Sequence, residues 1–295
     1  HGDLFVLDPP TMYESQLLSR ESLRSDRFEL AAVKLFVDGV LEGETAKLIS
    51  PYLHEPGYSG ELTYPQERLN EIVVGLAKEG LQIYTHAIGD GGVRAILDAI
   101  EFAQQSHGRN DLRHHISHLQ LIHPEDQGRF AELGVVANFQ ALWALPDEWI
   151  VNLNLPVVGL DRVNRMYPIS SIVRSGGTIV GGSDWNVSSL NPLDAIEVAL
   201  LRQDWLANDD LDNDALSELH VLNERERVDL DTMLRAYTIN AAWSMHQEDL
   251  TGSLTPGKQA DIIVLSADLF DIPPQRISTV GVELTFIDGK LVYQK

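Results

Sequence analysis

An α/β fold on a parallel sheet, followed by a small antiparallel module, is what this sequence predicts, and three observations carry it. Short apolar, β-branched runs alternate with stretches whose apolar residues recur at helical spacing. The intervals between them are short, as in consecutive βα units. After about residue 247 the pattern changes: residues 251–257 are dense in turn-forming types, and three strand-like runs follow, the last two joined at Asp288-Gly289.

Each element can be justified in order. Residues 4–7 suit a strand before Pro9-Pro10, and 11–23 suit a polar helix. Residues 31–37 form an apolar strand ending at Asp38-Gly39, with Lys34 inside it. A lysine there is ordinarily an edge-strand gatekeeper or a snorkelling side chain. The loop 42–61, rich in Gly, Pro and Glu, has the length that active-site loops reach. Leu69, Ile72, Val73, Leu76 and Ala77 line one helical face that stops at Gly80. Residues 81–86 are the next strand, and Gly89-Asp90-Gly91-Gly92 opens a helix burying Val93, Ile96, Leu97 and Ile100. Strand 112–119, helix 124–133, strand 135–139 and short helix 169–174 lead to strand 177–180 and then to Gly181-Gly182-Ser183-Asp184. Two further helices, 192–206 and 230–245, flank an acidic loop at 208–214; the tail strands are 261–265, 280–287 and 290–293.

Composition narrows the function classes. With 295 residues and 44% apolar content the chain can bury a substantial core. A net charge of −22 repels nucleic acid and anionic membranes, no basic cluster offsets it, and no apolar run is long enough to span a bilayer. The expected partner is a small-molecule substrate, with self-association compatible and the cytoplasm the default location. There is no cysteine, so any metal must be held by imidazole nitrogen and carboxyl-type oxygen.

Asp184 ends an apolar strand, and a buried carboxylate is costly without a cation or hydrogen-bond donors. A helix cap or turn is the bland explanation. Its company shifts the balance: Lys34, His86, His118 and Asp184 each lie in or at the end of a different predicted strand. In a (β/α)8 barrel such ends converge on one face. Asn138, Gln140, Trp143 and Trp185 lie near strand ends and could shape a pocket, although packing explains the aromatic residues equally well.

The segments 33–39, Thr45-Ala46, His86-Ala87-Ile88-Gly89-Asp90, 113–120, Gly182-Ser183-Asp184-Trp185 and 252–261 together resemble the amidohydrolase superfamily. The branch resembled is amidohydrolase family 3, which includes N-substituted formamide deformylases. The resemblance implies a (β/α)8 TIM-type barrel, of which this chain supplies strands four to eight, with part of an accessory β-sandwich. The barrel part would be 1–247 and the sandwich strands 248–295. It further implies a divalent metal, zinc expected, as one or two ions. Lys34, carboxylated in many relatives, His86, His118 and Asp184 would be the ligands. His114 and His115 lie nearby, but the motif aligns His118, and alternation would turn Ser117 and Leu119 away from it. His54, His107, His123, His220 and His246 read as surface residues.

Two departures accompany the resemblance. Ser117 stands where relatives usually carry Glu, and the family's His-x-His pair does not occur in these residues. Five strands cannot close a barrel. The expectation is therefore that strands one to three and the His-x-His pair lie in an N-terminal half outside these residues.

The implied chemistry is hydrolysis of a non-peptide C–N bond. The metal lowers the pKa of bound water from 15.7 to roughly 7, and Asp184 moves the proton to the departing amine. Ester or phosphoester hydrolysis on the same site, and a non-catalytic barrel used for binding or regulation, are the alternatives.

Overall fold

The computed structural model describes residues 2–5, 22, 24, 25, 29–203 and 220–295. The helix expected at 11–23 and the acidic loop 208–214 lie outside the described residues, apart from single positions of the former. The chain divides into two compact units. One comprises His1–Ala137, Val157–Gly159 and Ser175–Thr178; the other comprises Asn138–Pro156, Leu160–Arg174 and Ile179–Lys295.

In the first unit, β1 (Gly2–Phe5), β2 (Leu30–Phe36), β3 (Gln82–Ala87) and β4 (His115–His118) pair in parallel and in chain order. The strand count is thereby corrected: β1 pairs alongside the Lys34 strand, so the sheet contains a strand before it. It also follows that β2 is flanked on both sides, and Lys34, 8% exposed, is no edge gatekeeper. β5 (Val136–Phe139) continues the order, with Val136 N–H donating to the His114 carbonyl at 2.8 Å.

Alternation explains the sheet's two faces. Val33, Leu35, Ile83 and Ile116 share one and are fully buried, as a sheet covered by helices requires. The helical layer comprises α1 (Gln66–Lys78), burying Leu69, Ile72, Val73 and Leu76, and α2 (Asp90–His107), burying Val93, Ile96, Leu97 and Ile100. These are the apolar positions that the helical spacing picks out. The helix expected over 124–133 is divided into α3 (Pro124–Gln127) and α4 (Arg129–Leu133) at Gly128, the weak helix former in that run. The strand expected over 112–119 shrinks to β4, because Arg113 has a left-handed φ of 51°.

β6 (Thr178–Gly181), which belongs to the second unit from Ile179 onward, follows β5 in the sheet, and Gly182 N–H donates to the Phe139 carbonyl at 3.1 Å. β6 ends at Gly181, against whose Cα the Tyr237 ring packs so closely that no side chain fits. Helix α5 (Ile169–Arg174) precedes β6 and α6 (Pro192–Leu201) follows it, α6 capped by Asn191, whose Oδ1 accepts from Leu193 N–H at 3.1 Å. The helix expected over 230–245 breaks at Thr238, with φ −125° and ψ −96°, into α7 (Leu230–Tyr237) and α8 (Ile239–Ser244). β7 (Ile262–Leu265), β8 (Val282–Ile287) and β9 (Lys290–Gln294) form the antiparallel sheet expected of the tail. The Glu197 carboxylate, buried on α6, accepts from Ser278 N–H at 2.7 Å and so ties this tail to the helix.

Candidate functional site

The polar face of the first unit is built by register. Lys34 pairs with Tyr84 and Tyr84 with His115; one step on, Phe36 pairs with His86 and His86 with Ser117. Parallel strands hold paired residues on the same face. Lys34, Tyr84, His115, Phe36, His86 and Ser117 therefore form two rows on the side away from Val33 and Leu35. The Lys34 Nζ sits 4.3 Å from the Tyr84 ring centroid and 5.3 Å from that of Phe36. These are distances at which an ammonium is held by ring quadrupoles.

His118 reaches this face by a different route. Its register partner is Ala87, and simple alternation would send it to the apolar side. Its φ of 77°, followed by 53° at Leu119, turns the backbone left-handed where β4 ends. The result is a His118 ring 4.6 Å from that of His86, centroid to centroid and edge on. Non-glycine residues pay for such a conformation, and it concentrates at functional positions. The expectation that alternation turns Ser117 to the face opposite His118 is corrected: Ser117, fully buried, pairs with His86 in register, and His118 meets the same ring through its left-handed turn.

The His86 ring is fixed by its Nε2–H, which donates to the Gly39 carbonyl at 2.9 Å and leaves Nδ1 with the lone pair. Gly39 is set in turn by Asp38, a carboxylate the sequence reading passed over. Asp38 accepts from Ile88 N–H at 3.0 Å, Gly89 N–H at 2.9 Å and Lys47 N–H at 2.9 Å. Burial pushes its carboxyl up to about 7, against the lowering effect of those three amides. Gly92 presses against it: a Cβ there would lie 2.6 Å from the Asp38 carboxylate. The signal that could have revealed this anchor is the position itself, an acid closing an apolar strand just before a glycine.

The other histidines separate by environment. His114 turns to the interior, where its Nδ1 accepts from Ile83 N–H at 3.1 Å, and burial together with His115 lowers it to about 4. His54, His107, His220 and His246 are exposed, and His123 caps α3 through Nδ1.

Asp184 belongs to the second unit and departs from expectation. It is exposed, three residues beyond the end of β6, with a left-handed φ of 50° and its carbonyl accepting from Val187 N–H at 2.8 Å. The glycine pair ends the strand early, so the burial argument that singled Asp184 out does not hold. In the same unit the Asn138 and Gln140 amides, both buried, are joined by a 3.0 Å bond from Gln140 Nε2 to Asn138 Oδ1.

A divalent cation suits this donor set in kind: two buried imidazoles in ring contact, with a buried amine on the adjoining strand and no thiolate. Among the described residues no group of three or more His, Asp or Glu side chains is gathered tightly enough to hold an ion.

The chain is similar to several known proteins. Putative amidohydrolase YtcJ of Bacillus subtilis is 29% identical over 276 residues, which is 93% of this chain and 49% of that protein. Protein LONG AFTER FAR-RED 3 of Arabidopsis thaliana is 32% identical, over 94% of this chain and 45% of its own length. N-substituted formamide deformylase of Arthrobacter pascens is 25% identical, over 90% and 46%. The chain thus spans about half the length of the curated relatives it matches. A solved metal-dependent hydrolase of Pyrococcus horikoshii superposes with a TM-score of 0.71 at 26% identity, over 88% of this chain and 50% of that one. The amidohydrolase family model matches residues 10–293, and this chain belongs to that family.

Proposed function

We propose that this chain is part of a metal-dependent hydrolase that cleaves a non-peptide, amide-type C–N bond in a small molecule. The observation that carries the reading is the edge-on contact of His86 and His118, built by a left-handed turn that strand packing alone does not require. The family membership and the deformylase among the relatives point the same way.

His86 and His118 would hold the ion, zinc on the chemistry of the donors, with Lys34 and Asp184 completing the set and a carboxylated Lys34 joining a second ion. When bound, the ion polarises the scissile carbonyl and acidifies water. The chain's own residues do the rest. Gly39 orients the His86 ring through Nε2. Asp184, in reach of solvent, takes the proton of the attacking water and delivers it to the departing nitrogen, without which an amine leaves poorly. The barrel at 1–247 and the sandwich strands at 248–295 are part of the same proposal.

The test is a panel of amide, ester and phosphoester substrates offered to the metal-loaded protein, with and without chelator and with Asp184→Asn. Amide hydrolysis lost in both cases is the expected result. Activity that survives both treatments sinks the reading, and a preference for esters or phosphoesters replaces the bond type.

A further inference from the structure

Gln140 presents a buried acceptor that the fold itself does not use. Its side chain is 2% exposed; Nε2 donates to Asn138 Oδ1 at 3.0 Å, while Oε1 has no hydrogen-bond partner among the described residues. Buried polar atoms in folded proteins are nearly always paired, so an orphan asks for an explanation. A packing role is a poor one, because an amide buried only to fill space leaves its carbonyl's desolvation unrepaid.

The surroundings show where this acceptor stands. Gln140 is the first residue beyond β5 and Gly182 the first beyond β6, and the two strand ends are level, Gly182 N–H donating to the Phe139 carbonyl at 3.1 Å. The amide pair rests over Gly182: a Cβ there would come within 3.0 Å of Asn138 Oδ1 and 3.2 Å of Gln140 Nε2. Asp184 follows two residues later, its Cα within about 7 Å of that of Gly182 by chain length alone. A fixed amide, a glycine that leaves room for it and the proposed proton carrier thus occupy one strand end.

We infer that Gln140 Oε1 accepts a hydrogen bond from an N–H of the substrate and makes the enzyme selective for substrates that carry one on the scissile nitrogen. The inference rests on the hydrolase reading. Asn138 is the positioning residue: by occupying Gln140 Nε2 it fixes which end of the amide faces the substrate. A site with such an acceptor favours a secondary amide over its N-methylated counterpart, which would leave Oε1 desolvated and unpaired.

The test compares p-nitroformanilide with N-methyl-p-nitroformanilide in the intact metal-loaded protein. Gln140→Met, of similar volume and without the acceptor, should lower kcat/KM on the N–H substrate by about 10- to 100-fold and leave the N-methyl substrate nearly unchanged. Gln140→Glu keeps an oxygen at that place and should retain the preference. Equal losses on both substrates, or no loss on either, overturn the inference while hydrolysis of the N-methyl substrate by the wild type keeps the hydrolase reading alive. Wild-type protein that cleaves neither compound removes the reading and this inference with it.

Discussion

The rings of His86 and His118 meet edge on with centroids 4.6 Å apart, although strand register pairs His86 with Ser117 and His118 with Ala87. A left-handed residue at the end of β4 makes the difference. If this contact is the metal-binding core, His86→Ala and His118→Ala each weaken zinc binding by at least the roughly 10- to 100-fold expected for losing an outer-shell partner. His54→Ala and His246→Ala, on the exposed surface, leave it unchanged. Metal content after dialysis against a weak chelator separates the two outcomes.

His114 gives the fold a pH dependence of its own. Its imidazole is lowered to about 4 in the folded state, whereas an unfolded chain takes up that proton near 6.5. The unfolded state therefore binds more protons between these values. The stabilisation is complete above the upper one and is lost as pH falls through the window, by roughly 3 kcal/mol in all. His114→Asn keeps an acceptor for Ile83 N–H and should flatten the slope, read from urea midpoints at a series of pH values.

Asp38 holds three backbone amides from two segments, and an Asn cannot accept from all of them with both its side-chain atoms. Asp38→Asn should cost about 1–3 kcal/mol at neutral pH. Gly92→Ala should cost a similar amount, about 1–3 kcal/mol, by pushing on the same carboxylate. Thermal unfolding of both variants is the measurement, and the double variant should lose less than the sum, since the two act on one group.

Arg202 is fully buried and donates to the carbonyls of Met166, Tyr167 and Leu222 at 2.9, 3.2 and 2.8 Å. Burial lowers its guanidinium to about 10, which still leaves it charged at neutral pH. Arg202→Met removes the donor of the Leu222 carbonyl, while the Met166 and Tyr167 carbonyls still accept from Asn223 Nδ2 at 3.1 Å and Ile169 N–H at 2.8 Å, and should destabilise the protein by about 1–3 kcal/mol. A variant that melts with the wild type would show that the guanidinium contributes nothing net.

Much of this was legible along the chain because it depends on neighbours a few residues apart. The helical faces at Leu69–Leu76 and Val93–Ile100, the strands around Lys34 and His86 and the antiparallel tail follow from periodicity and turn chemistry, which act locally. The motif order likewise identified the family, since it needs only residue types and spacing. Other features came from contacts distant in sequence. That β2 is an inner strand depends on β1 pairing with it, and the short β4 on a left-handed Arg113. The exposure of Asp184 appears only in the folded chain, and the roles of Asp38 and His114 depend on backbone amides roughly thirty to fifty residues away. The sequence by itself determined which residues could do chemistry. Tertiary structure decided which of them are buried, which way they turn and what holds them, because desolvation and hydrogen-bond geometry arise only once distant segments are packed together.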